Sequence, residues 1–212
     1  TGQYPGGNMA QASAINPSRV SWSGENPGIY LKESADGPFV ALASFFRVVV
    51  SPHGLGKAVV VCAAPSKAEG ASAGNFVISD NEKLARWLVS DFVASFGAFK
   101  GLPALGALGY LKLDRAETRG DAATSWVESV AGGGKSVEMT WSALGKPQCV
   151  DVPPAQSATG KHQMYSLFVH GKTGTIKLDG KNLPGKAFDR PFFGGTGSTA
   201  FLAFSETWLD PV

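Results

Sequence analysis

The sequence predicts a mainly β fold: an antiparallel β-barrel or, as the alternative, a strongly curved sandwich, with one well-formed amphipathic helix. Three observations carry this prediction. Roughly ten runs of alternating or β-branched residues are separated by Gly-, Pro- and Asp-bearing turns. Charged residues make up only 17% of the 212 and glycine is raised to 27, which suits many short strands better than long solvated helices. Helical periodicity is confined to one stretch. A closed barrel is the simpler arrangement, because closure removes the exposed edges of so long a meander.

The chain length fits a single all-β unit. Residues 1–26, polar and rich in Gly and Pro with Trp22 as the anchor, read as an extended arm laid over a β-rich domain of residues 27–212. Met9 is a candidate native start, with the first eight residues added ahead of it. The first strands expected are 28–33 (GIYLKE), 39–50 (FVALASFFRVVV) and 57–64 (KAVVVCAA). The turn Ser51 to Gly56 makes the last two a hairpin. Residues 65–74 form a low-complexity loop.

A helix is expected over about 80–97. Ser79 and Glu82 have capping-box spacing, Leu84, Leu88, Phe92 and Phe96 recur every four residues, and Gly97 is a natural stop. Residues 98–113 are apolar, broken by Gly and Pro, and end in a strand. Beyond Thr124 the pattern is β again. TSWVESVA turns through GGG into KSVEMTWSAL, where Val137, Met139 and Trp141 alternate with polar residues as in a half-buried antiparallel strand. QCVDV and HQMYSLFV follow. Residues 170–174 are expected to turn back into TIKL, Asp179-Gly180 marks another reversal, and STAFLAFSETWL (198–209) is the last strand.

Several function classes receive no support. A net charge of +2 with singly spread lysines gives no footprint for nucleic acid. No apolar run is long enough to span a bilayer, no signal peptide is evident, and a cytoplasmic location is expected. Two cysteines cannot build a disulfide framework; Cys62, inside a valine run, reads as a buried thiol, and a bridge to Cys149 stays open. His53, His162 and His170 match no metal signature, so neither metal nor other cofactor is expected. The glycines of FFGGTGST lead into a strand rather than a helix, so turn chemistry explains them better than phosphate binding. No G-x-S-x-G elbow is present.

Two charges remain at core-like positions. Glu206 shares a strand face with Leu202, Phe204 and Trp208, and Arg47 shares one with Phe45 and Val49. A carboxylate among apolar neighbours needs a partner, or its pKa rises and it becomes a general acid or base. A direct Arg47–Glu206 pair would satisfy both; the plainer readings are that each reaches water at a strand end, or that a pair only fixes register. A barrel of eight or more strands has an interior of the size that holds one small molecule. The leading expectation is therefore a barrel that binds an apolar or aromatic small molecule, extending to a cofactor-independent isomerase or lyase. Glu206 would move the proton, Arg47 hold a developing oxyanion, and Tyr110, Tyr165 and Trp208 contact the ligand. The alternative is a non-catalytic binding module, lectin-like or protein-interacting. In a third reading the helix face (Trp87, Phe92, Phe96) docks a partner chain, which predicts homo-oligomerisation.

Overall fold

The computed structural model describes residues 15–211. Their strands, in chain order, are β1 (Val20–Glu25), β2 (Gly28–Lys32), β3 (Phe39–Val50), β4 (Gly56–Cys62), β5 (Asn75–Ser79), β6 (Gly109–Asp121), β7 (Ser125–Gly132), β8 (Lys135–Leu144), β9 (Gln148–Val152), β10 (Gln163–Leu178), β11 (Lys181–Asn182), β12 (Asp189–Phe192), β13 (Gly195–Ser198) and β14 (Ala200–Leu209). The helix α1 (Glu82–Asp91) lies between β5 and β6. Hydrogen bonding runs β14–β2–β3–β4–β5–β6–β7–β8–β10, and β10 returns to β14, so nine strands close a barrel. β9 and β11 both pair with β10, and β12–β13 is a separate two-stranded hairpin.

The barrel is mixed rather than purely antiparallel. β5 and β6 are parallel, with Phe76 opposite Gly109 and Ser79 opposite Lys112. Parallel neighbours cannot be joined by a tight turn. The connection is the crossover through residues 80–108, which carries α1 and short 3₁₀ turns over the outer surface. β5 itself, hidden behind the low-complexity loop, was not among the expected strands.

Other expectations shift for local reasons. Part of the N-terminal arm is barrel wall: β1 and β2 occupy one strand position between β14 and β3, interrupted at Asn26-Pro27. Pro27 has no N–H to donate, so the ladder breaks there. Residues 1–14 of the expected arm, with Met9, lie outside the described residues. α1 is capped by Asn81, whose side chain accepts from the Leu84 N–H, and not by Ser79. Ser79 ends β5 and donates its hydroxyl to the Lys57 carbonyl at 2.8 Å. The helix stops at Asp91, earlier than expected, and a 3₁₀ turn (Val93–Ser95) continues the apolar stripe.

No turn forms at 170–174, because β10 runs unbroken from Gln163 to Leu178. Its glycines serve packing. A Cβ on Gly174 would lie 2.7 Å from the Ala200 Cβ and 3.1 Å from Ile29. The turn at Asp179-Gly180 does form, with both residues at positive φ, and leads into β11.

Side chains alternate across the wall. One set, including Ile29, Phe45, Val61, Ile78, Met139 and Trp141, converges from strands all round the barrel and fills its interior. Trp141 donates its indole N–H across that interior to the Gly28 carbonyl at 3.0 Å. The interior is thus a core and not a ligand chamber. The opposite set, including Leu42, Val60 and Val77, faces outward and is covered by Leu84, Leu88 and Phe92 of the helical segment. Cys62 is buried in this second core, Cys149 is exposed, and both are free thiols.

Candidate functional site

Arg47 follows Ala43 and Phe45 on the inward face of β3 and reaches one end of the packed interior. Its guanidinium pairs with Glu25 and with Glu128 at 3.2 Å, donates to the Thr118 hydroxyl at 2.7 Å, and lies 5.0 Å from the Phe45 ring centroid. Glu128, on β7, has a fully buried side chain that also accepts from the Trp126 indole at 3.0 Å and the Thr118 hydroxyl at 2.7 Å. The inward charge on β3 is therefore neutralised within the barrel wall.

Glu206 lies elsewhere. Opposite Ser166 of β10, β14 carries one residue too many, and the ladder skips from Tyr165↔Thr207 to Leu167↔Phe204. Ser205 takes φ 49 at this bulge, a left-handed conformation more often supplied by glycine. Phe204 still packs inward, its ring 5.3 Å from Trp126. Beyond the bulge the alternation is reset, so Glu206 and Trp208 turn outward. The structure does not bring Arg47 and Glu206 together, because strict alternation along β14 fails at Ser205.

Outside the wall, Glu206 is 3% exposed. Its Oε1 accepts from the Trp208 indole at 2.8 Å and from the Asn26 amide at 3.4 Å. Asn26 is placed by the break between β1 and β2, its backbone N–H donating to the Ala203 carbonyl, while its Oδ1 accepts from Ser44 at 2.7 Å. Burial pushes the Glu206 carboxyl up to about 7, against the opposing hydrogen bonds from Trp208, Asn26 and Ser166. That places it where a carboxyl exchanges protons near neutrality.

This carboxyl lines a cleft of about 350 Å³ between the barrel's outer wall, the segment after α1 and the β12–β13 hairpin. The aromatic walls come from Tyr30, Phe39, Phe96, Phe168, Phe192 and Phe201. Tyr30 is held edge-on by Phe39, Phe99 and Phe201. Burial pushes its phenol up to about 12, outweighing the opposing pull of Arg190 and Ser44, so it remains a proton donor. Phe193, at φ 39 in the hairpin turn, is 52% exposed at the cleft margin.

Of the residues expected from sequence, Glu206 and Trp208 meet in this cleft. Tyr110 instead packs against the helix, with the Arg86 guanidinium 3.8 Å from its ring centroid. The Tyr165 hydroxyl accepts from Gln163 at 2.9 Å and Asn16 at 3.2 Å, apart from the cleft walls. Asn26, Tyr30 and Arg190 are cleft residues that sequence reasoning missed. Asn26 had a signal, since an Asn-Pro step inside a strand position must turn the chain.

The histidines are dispersed. His53 packs edge-on to Trp87, His162 shares a 2.9 Å hydrogen bond with Thr159, and His170 Nδ1 accepts from the Ser198 N–H at 3.1 Å. Among the described residues, no three His, Cys, Asp or Glu side chains are grouped to hold a metal. Among them, no helix is long and apolar enough to cross a membrane. Compared with family models, curated proteins and solved structures, the chain matches none.

Proposed function

We propose that this protein binds an apolar or aromatic small molecule in the cleft outside the barrel wall. The observation that carries this reading is one near-neutral carboxyl, Glu206, buried at the foot of an aromatic-lined cleft. Such a recess, apolar with a few convergent polar groups, is the usual form of a small-molecule site. The same proposal makes Glu206 the acid–base group of a cofactor-independent isomerase or lyase. As a carboxylate it takes a proton from ligand carbon, and as the acid it returns one at another position. Trp208 and Asn26 hold the carboxyl in place throughout.

Gly97 gives a clean test of location. It lines the cleft, and a Cβ built on it meets nothing within 4 Å. Gly97→Trp is expected to fold normally and to lower affinity for a neutral aromatic probe such as 2-naphthamide at least tenfold by titration calorimetry. Unchanged binding would place the ligand elsewhere. Glu206→Gln keeps the shape of the cleft, retains probe binding and abolishes exchange of ligand carbon-bound hydrogen with deuterated solvent. Exchange at the wild-type rate would remove Glu206 from the chemistry.

A further inference from the structure

Arg190 of β12 lines the same cleft. Its Nε donates to the Ser198 carbonyl at 3.1 Å, and its guanidinium lies 5.0 Å from the Phe201 ring centroid and 5.8 Å from that of Phe192. Among the described residues, no carboxylate comes within ion-pair distance of it, and no hydrogen bond is made by its two terminal nitrogens. This is uncommon company for a half-buried guanidinium. A charge taken partly out of water is normally compensated by an acid, and an arginine fork matches two oxygens of one planar anion. Phe192, Phe201 and the Ser198 carbonyl hold the fork in place, so little freedom is lost when such an anion arrives.

The Glu206 carboxyl, the one Asp or Glu among the described residues lining the cleft, is already engaged by Trp208 and Asn26. Tyr30, Arg190 and Glu206 all line this cleft. Resting on the reading of this cleft as a small-molecule site, we infer that its ligand is an aromatic carboxylate, whose ring lies among Tyr30, Phe168 and Phe201 and whose carboxylate is held by Arg190. Ligand specificity thus resides in the hairpin and acid–base chemistry in β14.

Paired probes separate this inference from the reading beneath it. At pH 6, where burial keeps most of Glu206 protonated, 2-naphthoate is ionised and 2-naphthamide is its neutral counterpart of nearly equal shape. Titration calorimetry on the wild-type protein is expected to show naphthoate binding roughly ten- to a hundredfold tighter, as a charge-assisted bidentate contact requires. Arg190→Gln should bring naphthoate down to the affinity of the amide and leave the amide unchanged, while Arg190→Lys keeps part of the preference. Equal binding of both probes to wild type, or a preference that survives Arg190→Gln, overturns the inference and leaves the cleft reading standing. Failure of both probes to bind wild type overturns both. The wild-type comparison needs no variant, so a folding defect in one cannot shield the proposal.

Discussion

Glu128 has no solvent-exposed side-chain surface and depends on Arg47, Thr118 and Trp126 for its hydrogen bonds. Removing one partner of a buried ion pair leaves an uncompensated charge, whereas removing both charges leaves none to compensate. Arg47→Met is therefore expected to lower unfolding stability by about 3–5 kcal/mol in urea titrations, and Arg47→Met/Glu128→Gln, which removes the charge but keeps an acceptor for Trp126 and Thr118, to recover most of that. If the double variant is no more stable than the single one, the pair is not what Arg47 is for. The sequence already showed Arg47 and Glu206 standing at apolar positions, and both do. Their partners were not legible. Glu128 shows the same signal, lying in register with Trp126 and Val130 on one strand face. Three charges at apolar positions can be paired in more than one way until closure of the barrel sets β3 across from β7.

Elements were most legible where periodicity ran long. β3 spans the residues that its β-branched run marked, and Val137, Met139 and Trp141 of β8 are buried as alternation predicted. Misreadings fall where one residue serves two purposes. Gly171 and Gly174 looked like a turn but lie within the ladder of β10, Gly174 so that neighbouring side chains can close on it. Ser79 looked like a helix cap but terminates the parallel strand β5, whose five residues were too few to announce themselves. The Ser205 bulge left no mark at all, since nothing in FSET indicates a left-handed serine. The corrected cap makes its own prediction. Asn81 accepts from the Leu84 N–H and donates to the His53 and Leu55 carbonyls, tying α1 to the β3–β4 turn. Asn81→Ala should cost about 2 kcal/mol, at the upper end for an N-cap, because it removes the turn contacts as well. Glu82→Ala, at the residue a capping box would use, should cost under about 0.5 kcal/mol, the worth of its exposed pair with Arg86. Chemical denaturation of the two variants tests the assignment, and a larger loss at Glu82 would restore the capping box.

Across the whole molecule, buried Glu206 and half-buried His170 titrate with opposite consequences. Glu206 is raised from 4.5 to about 7 by burial, so between those values the folded protein holds a proton that the unfolded chain releases. Its contribution makes the fold less stable as pH rises through that window, by about 3 kcal/mol in all. His170 is lowered from 6.5 to about 4, chiefly by burial and then by the Arg190 cation. Here the unfolded chain holds the proton that the folded one rejects, so stability increases as pH rises from about 4 to 6.5. The windows overlap from 4.5 to 6.5, and over that range the slopes oppose each other, with His162, also lowered by burial, adding to the His170 slope and flattening the wild-type profile. Each variant should uncover the other group. Glu206→Gln is expected to gain stability steadily as pH rises from 4.5 to 6.5. His170→Asn keeps an acceptor for the Ser198 N–H and should lose stability over the same range, with the loss continuing to about pH 7. Urea unfolding at pH 4.5, 5.5, 6.5 and 7.5 measures all three profiles. If Glu206→Gln follows the wild-type profile, the carboxyl is ionised throughout. A Glu206 ionised across that range would still take a proton from ligand carbon but would hold none in the resting cleft.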